Sequence, residues 1–135
     1  MPFTPLDPKR YPRDPASMPL HRGSADGAYV YVQDLDGTIY ILPDGPHQHP
    51  RVLGEARSAM YAGELRIQAG TVVQLNNCSG TFEPDSVRGL RQVADVIESL
   101  GFKFEAGSVQ FFHFHKVAPT RMIQREGSGD ANSGA

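Results

Sequence analysis

Four short strand-like runs, two rich in β-branched and aromatic residues and two that alternate apolar and polar, are joined in pairs by turn-forming stretches and constrain this chain more than any other feature. Ala28 to Gln33 and Thr38 to Leu42 flank Asp34-Leu35-Asp36-Gly37, a composition that predicts a hairpin. Glu64 to Gln68 and Thr71 to Leu75 alternate around Ala69-Gly70 and predict a second one. Between them Pro43, Asp44, Gly45, Pro46 and Pro50 predict a loop that carries His47 and His49.

One segment has helical periodicity. Val87, Leu90, Val93, Ala94, Ile97 and Leu100 share a face, while Arg88, Arg91, Asp95 and Glu98 take the other. Asp85 or Ser86 can cap its free amides, and Gly101 is suited to end it. A last strand is expected over Ser108 to Val117. The fold class that follows is α+β: a small, mostly antiparallel sheet built from hairpins, with one amphipathic helix packed on one face. Six of the eleven prolines fall in the first twenty residues, so residues 1–26 are expected to form a proline-rich extended arm. Residues 27–121 are the single domain. Residues 122–135, mostly Gly, Ser, Ala and Asn towards the end, are expected to be a flexible tail.

Charge and composition exclude several functions. The net charge is −2 with both signs interleaved, so a nucleic-acid partner is not expected. No apolar run approaches membrane-spanning length and no leader-like stretch opens the chain, so no membrane partner is expected either. Cys78 is the single cysteine, which suits a reducing compartment; a cytoplasmic bacterial protein is the simplest reading.

Several local motifs suggest chemistry. Asp34-Leu35-Asp36-Gly37-Thr38 resembles the nucleophile motif of haloacid-dehalogenase-type phosphatases, but that chemistry needs a parallel α/β sheet, so a hairpin turn is the favoured reading. His113 and His115 would share one face of a strand, yet a metal needs more convergent ligands, and none is assigned; no cofactor is implied. Cys78 reads as a small apolar residue rather than a nucleophile. His21-Arg22-Gly23 is similar to the strand-opening Arg-Gly of some ADP-ribosyltransferases, without that family's other elements.

A longer pattern covers roughly half the chain. It runs through Ile39-Tyr40-Ile41, Gln48-His49, Val52-Leu53-Gly54, Tyr61-Ala62-Gly63-Glu64, Ser79-Gly80-Thr81-Phe82-Glu83-Pro84 and the helix to Leu100. In order and spacing it resembles a domain shared by the C-terminal part of plant IQ-motif calmodulin-binding proteins and by bacterial effector and polymorphic-toxin-like proteins. The resemblance implies candidate catalytic positions at His49, Glu64 and Ser79, and ligand-binding positions at Gly63, Gly80 and Thr81. Where the pattern has histidine this chain has Thr81, and Pro50-Arg51 replaces its Ser-Ser. Those departures turn the expectation from catalysis towards binding, and calmodulin binding is not carried over.

The functional expectation is therefore an effector-type or accessory domain that binds a protein or small-molecule partner, secreted without a classical signal peptide if it is an effector. The alternatives are an enzymatic toxin domain using His49 and Glu64 as acid/base groups, or an immunity protein. An aromatic strand at 108–117 also suggests a homodimer through its edge.

Overall fold

β2 (Gly27–Gln33) is buried on both faces over Val30 to Gln33. It pairs antiparallel with both β3 (Ile39–Pro43) and β4 (Tyr61–Gln68) and so lies inside the sheet. Tyr31 points into one apolar cluster while Val30 and Val32 enter another on the opposite face. A central strand covered on both sides must be apolar almost throughout. The computed structural model describes residues 2–113 and 121–122.

Both predicted hairpins form. In the first, the Asp34 carboxylate accepts hydrogen bonds from the Asp36 and Thr38 amides at 2.9 and 3.0 Å, a turn that uses aspartate for its local geometry. In the second, β4 turns into β5 (Thr71–Asn76) through Ala69 and Gly70, both in the left-handed region. Asp26 accepts from both of their amides, at 2.8 and 3.3 Å, which offsets the cost of an alanine at positive φ.

Two helices flank the second hairpin in the chain, the short α1 (His49–Leu53) before it and the long amphipathic α2 (Val87–Ser99) after it. Ser86 is the α2 cap, its Oγ accepting from Gly89 N at 2.9 Å. Leu90, Val93, Ala94 and Ile97 pack against Tyr31, Leu65, Leu75, Val109 and Phe111. The chain then returns in two short strands, β6 (Lys103–Phe104) and β7 (Val109–Phe111), both parallel to β5. These parallel pairings follow from the helix crossover between β5 and β6. The remaining sheet is antiparallel, as expected.

Two expectations are corrected. The loop carrying His49 contains α1 (His49–Leu53), which covers the second face of the sheet through Val52 and Leu53. Pro50 in the first turn suits a helix start, since its missing N–H would have no partner there. Among the described residues the strand expected over Ser108 to Val117 is β7, Val109–Phe111, and it ends where Asn77 binds both the amide and the carbonyl of Phe112. On its outer side Gln110 and Phe111 pair with β8 (Arg121–Met122). The paired-histidine expectation falls partly outside the described residues, as do the rest of the 108–117 strand beyond His113 and the tail after Met122.

The proline-rich arm lies across the body. Its β1 (Met18–Pro19) pairs with β3, Leu20 enters the main core, and Phe3 exchanges backbone hydrogen bonds with Ala59 at 2.7 and 2.8 Å. Tyr11 O accepts from Glu55 N at 2.7 Å, and Ser17 Oγ donates to Val52 O at 2.6 Å, fastening the arm over α1. Gly54 permits this seating: at φ +78° a Cβ there would lie 2.5 Å from Arg13 N.

Candidate functional site

The second face of the sheet runs from Ala62 to Glu64 along β4, and there the apolar surface ends in a carboxylate. Glu64 sits opposite Val30 of β2. The Asn76 side chain holds it: Nδ2 donates to Glu64 Oε1 at 3.1 Å, while Oδ1 accepts from the Glu64 and Cys78 amides, each at 2.9 Å. A buried asparagine thus ties the end of β5 to β4 and aims the loop that follows.

That loop is built by Asn77 and Ser79. Asn77 is fully buried and spends its amide on Pro84 O, Phe112 O and Phe112 N. Ser79 is 2% exposed; its carbonyl accepts from Glu83 N at 2.7 Å and its Oγ accepts from Phe82 N at 3.3 Å. The turn so closed sinks Phe82 into the core of the second face. It leaves Gly80 and Thr81 on its outer side, and Thr81 O accepts from Leu6 N of the arm at 2.9 Å.

Opposite stands His49 at the start of α1. Its Nε2 lies 2.8 Å from Gly63 O, and a carbonyl can only accept, so Nε2 carries the proton. In the neutral ring Nδ1 is then a lone-pair acceptor, and it has no hydrogen-bond partner among the described residues. Burial lowers the proton affinity of this imidazole, opposed by the Gly63 hydrogen bond and by Asp44.

Between these groups lies a cavity of about 580 Å³. The arm contributes Leu6, Asp7 and Tyr11, the 44–50 loop contributes Asp44 and His47 to Pro50, and the sheet contributes Val30 and Glu64. Cys78, Ser79, Gly80 and Thr81 complete it. A volume of this size is that of small-molecule sites in general. His47 adopts a left-handed backbone conformation at its wall.

Five of the six positions implied by the resemblance, His49, Glu64, Ser79, Gly80 and Thr81, therefore meet at one cavity. Gly63 does not line it and has another duty. A Cβ on Gly63 would lie 1.9 Å from Asn76 O and 2.9 Å from the Tyr31 ring. Tyr31 pairs directly across from this glycine, and its hydroxyl donates to Asn76 O at 2.8 Å.

The arrangement restricts the available chemistry. Burial, followed by the charge of Glu64, pushes the Cys78 thiol up to about 11, so it is not a thiolate at neutral pH. Ser79 Oγ receives a backbone amide, and no described base is bonded to it. Among the described residues no three His, Cys, Asp or Glu side chains are grouped to hold a metal. Asp34 lies in its turn and outside the cavity, His21 uses Nδ1 to accept from Gly23 N, and His113 is exposed with its ring edge-on to Phe111. No helix among the described residues is long and apolar enough to cross a membrane.

Sequence reasoning missed Asn76 and Asn77, which build the site, and Asp7, Tyr11 and Asp44, which complete it. Two consecutive asparagines directly after an alternating strand are a signal for side chains replacing ladder partners. Nothing local announces the arm residues.

The fold and site define a small α+β protein with a strapped, polar cavity on the sheet face opposite its main helix. No protein-family model, curated protein or solved structure matches the chain.

Proposed function

We propose that this protein is a ligand-binding module, an effector-type or accessory domain whose cavity takes a small polar molecule. The observation that carries this reading is the cavity itself: arm, loop, strand and turn each place polar side chains around one space of about 580 Å³. The two candidate nucleophiles are committed elsewhere, Ser79 to its own turn and Cys78 to the protonated form. Such an inventory supports recognition more than bond making. The resemblance to effector-type proteins supports the setting.

A test is protein-observed NMR with a library of polar metabolites. Binders should shift the amides of Glu64, Cys78, Gly80 and Thr81 together and leave the α2 amides in place. A library that moves none of those amides would remove the reading.

One observation favours the enzymatic alternative: His49 and Glu64 line the same cavity, and Nδ1 of His49 is an unbonded base. In that reading turnover of a bound molecule is lost in His49→Ala and Glu64→Gln variants that still fold. Binding that persists with no conversion of the ligand supports the module.

A further inference from the structure

The chemistry of the cavity wall says what class of molecule it would hold. Three carboxylates line it, Asp7, Asp44 and Glu64, and no lysine or arginine does. Asp7 and Asp44 are exposed at the rim, whereas Glu64 is half-buried beside Val30 and Cys78. Of the nearby cations, Lys9 and Arg51 stand over the ring of Tyr11, itself a lining residue, at 4.8 and 4.9 Å, and Arg10 pairs with Glu55 at 3.5 Å.

Hydrogen-bonding capacity points the same way. Glu64 gives Oε1 to Asn76 and has no second partner among the described residues, leaving Oε2 as an acceptor. His49 has its donor fixed on Gly63 O, leaving Nδ1 as an acceptor. The hydroxyls of Tyr11, Ser79 and Thr81 can donate or accept and do not decide the matter. A half-enclosed space lined by one sign of charge concentrates the opposite sign. An anion would meet three carboxylates with no lysine or arginine in the lining, while a neutral ligand would leave the charge of those carboxylates uncompensated.

We infer that the cavity binds a small molecule bearing an ammonium or guanidinium group, with Glu64 Oε2 and His49 Nδ1 as the inner acceptors and Asp7 and Asp44 at the mouth. This rests on the ligand-binding reading above and goes beyond it in naming the chemical class. Neither acceptor alone would suffice: the imidazole supplies a directed lone pair, and the carboxylate supplies charge.

The experiment compares probes of similar length by calorimetry and amide shifts: agmatine and 1,5-diaminopentane against glutarate and 1,5-pentanediol. Agmatine and the diamine should bind with Kd below about 1 mM, more weakly as sodium chloride is raised, and should shift the Glu64 and Cys78 amides. Glu64→Gln keeps an oxygen for Asn76 and so should fold normally, yet weaken agmatine binding by about tenfold or more. Asp36→Asn, an exposed turn position away from the cavity, should leave it unchanged.

Stronger binding of glutarate or the diol at the same amides would overturn the charge assignment while leaving the ligand-binding reading standing. Equal weakening by Asp36→Asn and Glu64→Gln would overturn it too, since the attraction would then be diffuse. If no probe and no library member moves the cavity amides, both readings fall together. An acetylated, amidated alanine tripeptide with a central arginine separates the two sources of the group. Weaker binding than agmatine supports a free small molecule, and tighter binding overturns that part in favour of a side chain presented by a partner.

Discussion

Replacing Gly63 by alanine should be the most damaging single methyl addition at the site. The new Cβ would stand 1.9 Å from Asn76 O, about 1.5 Å short of ordinary contact, and 2.8 Å from the carbonyl carbon. The obstacle is backbone, so no side-chain rotation relieves it. If the carbonyl retreats, the hydroxyl of Tyr31, which is fully buried, loses its acceptor. Overpacking of a well-filled interior costs about 1–3 kcal/mol, and a buried hydroxyl without a partner costs about as much again. The expected loss is about 3–5 kcal/mol, a large share of the stability of a domain this size. With a urea dependence of about 2 kcal/mol per molar, the denaturation midpoint by circular dichroism should fall by about 2 M.

Gly80→Ala is the matched control, because a Cβ there meets nothing within 4 Å, and its midpoint should stay within about 0.3 M of the parent. Tyr31→Phe should couple to Gly63→Ala: with the hydroxyl gone, moving the carbonyl costs less, so the double variant should lose less than the sum. A Gly63→Ala protein as stable as the Gly80→Ala control would refute the packing account and return Gly63 to a direct ligand-binding role.

Three further outcomes are expected. Cys78, with its thiol pushed up to about 11, should react with iodoacetamide at pH 8 at least about tenfold more slowly than an ordinary exposed thiol, and Glu64→Gln should speed it by removing the nearby charge. The lowered proton affinity of His49 means that the unfolded chain takes up a proton first as pH falls. Its stabilising contribution is complete above about 6.5 and shrinks as pH drops through that value, so the urea midpoint should fall less between about pH 7.5 and 5.5 in His49→Gln than in the parent. Asp34→Asn keeps an acceptor for the Asp36 and Thr38 amides and should change stability by less than about 0.5 kcal/mol, whereas Asp34→Ala should lose about 1 kcal/mol in the same titration.

Local chemistry made much of the fold legible. The hairpin turns at Asp34 to Gly37 and at Ala69-Gly70, the Ser86 cap and the apolar face of α2 each depend on residues close in sequence, and such signals survive without knowledge of the fold. The short helix at His49 was hidden by Pro46 and Pro50, because the same residues that break a helix inside also start one. The parallel returns of β6 and β7 were hidden because two or three residues carry no period of their own.

The candidate site divides along the same line. Sequence order could single out His49, Glu64, Ser79, Gly80 and Thr81 one by one, but not that they share a space. Their convergence depends on contacts between distant segments: His49 with Gly63 O, Asn76 with Glu64, and Leu6 of the arm with Thr81. The role of Gly63 is also tertiary, since nothing beside it in the chain reveals the Asn76 carbonyl above it or the Tyr31 ring opposite. The sequence by itself determined the hairpins and the helix, because those depend on residue type and near neighbours. Only the tertiary structure decided that a proline-rich arm, a loop, a strand and a turn would enclose acceptors of one sign, because the sign of a cavity is a sum over segments that meet only when folded.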